Sequence, residues 1–155
     1  MMVAGGLYHG CMKPIVVAVA LMFTIWTPDS SAQPTPSHVM VQPESIQWRG
    51  PATGLQTAIA EGNPQAAGTF TMMLKLADGA WIPPHFHNVD KRLVVIKGEL
   101  LMGHGDEIDT GKVSILKAGG VAVMPANTHH YEGGRGETIV ALIANGPFTT
   151  TMVKK

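Results

Sequence analysis

The sequence has almost no cysteine. Its single copy, Cys11, precedes an apolar segment that reads as removable, so the mature chain has neither a disulfide framework nor thiolate ligands. Any metal it holds must therefore sit on nitrogen and oxygen. Charge of one sign is also missing: 11 basic residues balance 11 acidic ones, with no basic run. This excludes the electrostatic footprint of a nucleic-acid partner or of an anionic membrane surface. No internal repeat and no long amphipathic helix can be traced, and no nucleophile, base and orienting group line up for serine- or cysteine-type hydrolysis. What is present is 155 residues, one domain's worth, with enough apolar content for a real core.

The amino-terminal part reads differently from the rest. Met12-Lys13-Pro14 leads into the apolar stretch Ile15 to Trp26, then Pro28, Asp29 and the small residues Ser30 and Ala32. A positive start, a short apolar core and a small-residue site make residues 1–32 a secretory signal peptide, cleaved after Ala32. Met1 and Met12 are both candidate starts. A membrane anchor needs about 20 apolar residues, and this stretch is far shorter. Cys11 lies before the apolar stretch, where a lipid-attachment cysteine would follow it. The expected location is therefore periplasmic or secreted, with no membrane contact after cleavage.

Residues 33–53 are rich in proline and small polar residues and read as a leader, with a short edge strand at 38–41 and an anchoring Trp48. Leu55 to Glu61 is ambiguous between a helical stripe and a short strand. From Gly68 onward, short apolar or alternating segments are bounded by glycine, proline and aspartate, the pattern of an all-β sandwich or barrel. Strands are expected at 69–76, 92–96, 99–102, 113–116, 121–124, 129–132, 138–144 and 147–153. Asp78-Gly79 suits a tight hairpin, and Lys97-Gly98 reads as another turn. The single domain is thus placed at 54–155.

Two histidine pairs stand out. His85 and His87 are separated by one residue, so on a strand both imidazoles point to the same side and can share one cation. His129 and His130 follow about forty residues later, behind Pro125. A third imidazole from a neighbouring strand would complete a facial set.

These residues resemble the cupins. Gly79, five residues, His85-x-His87 and then Lys97-Gly98 is similar to the first cupin motif. Gly119, five residues, Pro125-x-Asn127-x-x-His130 is similar to the second. The likeness covers about residues 65–150 and extends to features of small single-domain members. It implies a double-stranded β-helix, or jelly-roll barrel, with His85, His87 and His130 as metal ligands near the mouth. Imidazole suits Fe, Mn, Ni, Cu and Zn alike, so the divalent transition metal is not named by its ligands. His129 is expected on the opposite face, at the rim, unless the register slips and it replaces His130. Met72, Met73, Met102 and Met124 read as core fillers rather than copper ligands, Trp81 and Phe86 as core and pocket wall, and His104 as exposed.

The departures matter more than the matches. Where the family carries its glutamate ligand, this chain has Lys91, whose ammonium would be repelled by a cation. Asp90 could take the place if a bulge shifted the register. Asn127 stands at a family glycine, a position asparagine tolerates in left-handed backbone. Two functions remain open on the sequence. One is a metal-dependent, dioxygenase-like enzyme acting on a small molecule, with Lys91 as catalytic acid, base or anion clamp. The other is a non-enzymatic binding or sensing module with a vestigial site. A homodimer is a further expectation that comes only with the resemblance.

Overall fold

The structure, a computed structural model, describes residues 38–154. The segment 1–32, expected to be a signal peptide, and the first leader residues lie outside them. Eight strands follow a short 3-10 turn at Pro43–Ser45: β1 (Leu55–Glu61), β2 (Gly68–Leu76), β3 (Trp81–His87), β4 (Lys91–His104), β5 (Ser114–Lys117), β6 (Val121–Met124), β7 (His130–Gly146) and β8 (Thr150–Met152). Among the described residues no helix is long and apolar enough to cross a membrane.

The two longest strands, β4 and β7, form an antiparallel spine that runs through both halves of the molecule. In one half, β2 and then β1 pair on the far side of β7, while β6 flanks β4. In the other, β3 and then β8 pair on β7, while β5 flanks β4. All of these pairings are antiparallel, and the register of the spine shifts between the halves. The apolar faces close on one core, with Phe70, Leu74, Leu93 and Leu142 from the first half and Leu100 and Met102 from the second. This is the double-stranded β-helix expected from the sequence.

Alternation explains the strands. In β7, Thr138, Val140, Leu142 and Ala144 are buried every second residue, and in β4 Lys91, Leu93 and Val95 do the same. Leu55 to Glu61 resolves as a strand because its period-two partners Leu55 and Thr57 lie opposite Leu76 and Leu74. Three of the four named methionines, Met73, Met102 and Met124, are buried in the core.

Several boundaries differ from expectation. The Lys97-Gly98 turn does not separate two strands: β4 runs through it, with register shifts on either side of Lys97 absorbed as bulges. Gly98 is at φ +75° and packs against the Glu137 carbonyl and Thr138, a place with no room for a side chain. The segments 129–132 and 138–144 likewise fuse into β7. Asp78-Gly79 does turn the chain, but β2 and β3 do not pair as a hairpin; each pairs with β7 instead. Only Gly79 of the two takes positive φ, and the Asp78 carboxylate accepts from the Gly136 amide. No strand forms at 38–41; the bridge at this edge joins Arg49 to Thr57, and Trp48 lies under the Lys75 ammonium.

Candidate metal centre

β3 carries His85 and His87 on one face because strand side chains alternate, and β7 brings His130 directly opposite His85 in the antiparallel register. Pro83 and Pro84 cause a register shift in β3, as residues that cannot donate to the ladder. That shift lets Ile82 join the two histidines on the pocket side. The imidazole centroids lie 4.3 Å (His85–His130), 4.9 Å (His85–His87) and 5.4 Å (His87–His130) apart. One ring nitrogen from each lies within 4.8 Å of the other two.

The other nitrogen of each ring is held by the backbone. Nδ1–H of His85 donates to the Pro83 carbonyl at 2.8 Å, that of His87 to Thr149 at 3.1 Å, and that of His130 to Thr128 at 2.7 Å. A carbonyl only accepts, so all three rings take the tautomer that turns the Nε2 lone pair toward the shared space. Backbone anchoring of the far nitrogen is how metal-binding imidazoles are oriented. The Nε2 of His87 is the one buried side-chain nitrogen or oxygen among the described residues with no partner.

The electrostatics keep these rings neutral, as ligands must be. Burial, then the Lys91 charge and His85, pushes His87 down to about 3 against the opposing Thr149 contact. Burial and Lys91 likewise bring His130 to about 4, although Glu132 opposes them. Burial lowers His85 too, partly offset by its Pro83 contact.

Lys91 faces the site. Its Nζ donates to the Glu132 carboxylate at 2.8 Å and to Nε2 of His130 at 2.9 Å, with Lys91 and Glu132 each only 1% exposed. Burial is the largest single influence on Glu132 and raises its pKa, but the charge and hydrogen bond of the adjacent Lys91, with contributions from His130 and His85, together outweigh it and bring the carboxyl to about 2. The two charges thus neutralise each other inside the barrel.

A family model for the ChrR cupin-like domain matches residues 36–149. The chain belongs to this cupin family. No curated protein matches the sequence. Among solved structures, this cupin is similar to the polyketide cyclase RemF from Streptomyces resistomycificus, with a TM-score of 0.62, 15% identity, and 77% of this chain and 87% of that one covered. It is also similar to an uncharacterised conserved protein with a double-stranded β-helix domain from Klebsiella pneumoniae, with a TM-score of 0.59, 19% identity, and 75% and 92% covered. A third likeness is to salicylate 1,2-dioxygenase from Pseudaminobacter salicylatoxidans, with a TM-score of 0.55, 12% identity, and 67% and 32% covered. At these identities the likenesses speak to fold alone.

The three histidines of the cupin fit a divalent transition metal: the donors are neutral, their tautomers are fixed and one lone pair is orphaned. One obstacle stands inside the site, since the Lys91 ammonium already engages His130. Asp90 does not substitute for the missing glutamate. It is exposed, and its carboxylate accepts from the Ala126 amide at 2.8 Å, fixing the turn before His130. The same turn holds Asn127 at φ +58°, with its amide donating to the His87 carbonyl at 2.7 Å.

His129 takes the rim position expected of it, with Nδ1 2.6 Å from Asp106 and its ring stacked on Phe86. Phe86 is therefore not a pocket wall: its strand parity sends it to the face opposite His85 and His87. Trp81 instead packs beside Tyr131. The aromatic wall is Phe148, stacked on His87 with centroids 4.5 Å apart. His104 is exposed, at the end of β4 rather than in a turn. Sequence reasoning missed Glu132, although His130-x-Glu132 repeats the alternation of His85-x-His87 and would have placed its carboxylate on the histidine side.

Proposed function

We propose that this cupin is an exported metal-dependent enzyme that acts on a small molecule inside its barrel, in the manner of an oxygenase. The observation that carries the reading is the convergence of His85, His87 and His130, each anchored through Nδ1 and presenting Nε2 to one point. A transition ion held there supplies an open coordination position and Lewis acidity. The chain supplies the rest. A cavity of about 470 Å³, sized for a small organic molecule, is lined by His85, His87, Lys91 and Glu132 at its polar side and by Leu74, Leu142 and Phe148 at its apolar side. The apolar side excludes water and positions a substrate, while Lys91 Nζ is placed to donate a proton or hold an anionic oxygen. Structurally similar proteins that carry the names dioxygenase and polyketide cyclase support small-molecule chemistry in such a barrel. The amino-terminal pattern of residues 12–32 supports export to the periplasm or beyond.

The Lys91–Glu132 pair favours a second reading, a binding module in which the ammonium takes the place of the metal. Metal content separates the two. Purified protein reconstituted with transition metal near neutral pH should hold one ion per chain, and His85→Ala should lose it. A wild-type protein that stays empty under these conditions contradicts the enzyme reading.

A further inference from the structure

If the imidazoles take a divalent cation, as proposed above, the Lys91 ammonium must give up His130. The single lone pair on Nε2 serves either the cation or Nζ, which now lies 2.9 Å from it. Lys91 then keeps Glu132 as its acceptor, at 2.8 Å, for one of its three N–H groups. With the side chain 1% exposed at the wall of the cavity, the freed donor can be met only by a group that enters that cavity. Charge makes a second demand. The three imidazoles are neutral and Glu132 is cancelled by Lys91, so a loaded site retains the full charge of the cation in a low-dielectric setting. That charge also faces an ammonium across the same His130 wall. One kind of group answers both demands: an anionic oxygen that accepts from Nζ while neutralising the cation.

We infer that the pocket binds its metal together with a small organic oxyanion, a carboxylate or enolate. The charged head accepts from Lys91, and the apolar body lies against Met72, Leu142 and Phe148. These three side chains line the same 470 Å³ cavity as Lys91, His85 and His87. Lys91 is in this view an anion anchor that makes metal and ligand binding mutually dependent. Glu132 is the positioning residue that keeps the ammonium in the pocket once His130 is taken.

Titration calorimetry of the full-length chain with Co²⁺, alone and with saturating acetate, hexanoate or hexanol, tests this. The visible absorption of bound Co²⁺ reports entry of the ligand into its coordination. Hexanoate should tighten Co²⁺ binding by roughly tenfold, and by reciprocity Co²⁺ should tighten hexanoate binding by the same factor. Acetate should do less for lack of an apolar body, and hexanol nothing. Lys91→Met should erase most of the coupling while Co²⁺ still binds. The double variant Lys91→Met/Glu132→Gln, which leaves no buried charge alone, guards against a folding defect in the single one.

A wild-type protein that binds Co²⁺ equally with and without hexanoate overturns the inference and leaves the metal reading standing. So does equal coupling by hexanol, or coupling unchanged in both variants. Absence of His85-dependent Co²⁺ binding under every condition removes the metal reading and the oxyanion inference together. A 1,3-diketone enolate such as acetylacetonate, compared with hexanoate, distinguishes the two head groups.

Discussion

Lys91 places an ammonium 2.8 Å from Glu132 and 2.9 Å from His130, with lysine and glutamate both buried. Removing one member of such a pair leaves the other as an uncompensated buried charge, whereas removing both leaves none. Lys91→Ala should therefore destabilise the metal-free fold by about 3–5 kcal/mol, and Lys91→Met/Glu132→Leu should recover most of that loss. Urea denaturation checks both; equal stability of the single and double variants would show that the charge on Glu132 is met elsewhere. At this scale the sequence was legible where chemistry follows parity. His85-x-His87 announced two imidazoles on one side. The role of Lys91 was legible as a departure but not as a contact, because its partner Glu132 is 41 positions away on another strand. Nothing local to either residue declares that pair.

β4 and β7 hold the site because each runs on where the sequence read two strands, β4 through Gly98, which taken alone looks like a turn. At Gly98 the backbone bends at φ +75°, and a Cβ there would lie 2.6 Å from the Glu137 carbonyl. Both the conformation and the close approach oppose a side chain, so Gly98→Ala should cost about 1–3 kcal/mol. A thermal melt measures it, and an unchanged midpoint would mean that the bulge is not rigidly held. The same residue shows why element boundaries were only partly legible. Glycine after lysine has the chemistry of a reversal, and what turns it into a bulge instead is the non-local pairing of β4 with β7 on both sides of it. The prolines of β3 hid its extent: the pair His85-x-His87 was read on a strand, but 81–87 was not delimited as one, because Pro83-Pro84 is locally a signal against a paired strand, and the shift at these prolines is what aligns Ile82 with the histidines.

The whole molecule buries three neutral imidazoles and one carboxylate, and this sets its response to acid. His87 and His130 have an ordinary pKa of 6.5 when unfolded, but about 3 and 4 when folded. Between those values and 6.5 the unfolded chain binds protons that the folded chain refuses, so stability rises with pH through this window and is complete above it. Glu132, at about 2 folded against 4.5 unfolded, adds to the loss only at lower pH and in the same direction. The metal-free protein should thus unfold at lower urea concentration near pH 5 than near pH 7.5. Equal midpoints would mean that these rings are not held neutral. An all-β sandwich or barrel was legible from the spacing of the turns, and the jelly roll only through the resemblance of the two motifs to the cupins. The closure of its two halves was not, because it depends on which strands share β7.

The account stands or falls on whether His85, His87 and His130 act as one set of ligands. X-ray absorption at the zinc edge of the zinc-loaded protein measures this directly. Three imidazoles with nitrogens at about 2.0–2.1 Å are predicted, with the outer-shell scattering of the rings falling in His130→Ala. A spectrum without imidazole outer-shell scattering, or one unchanged in that variant, would contradict it.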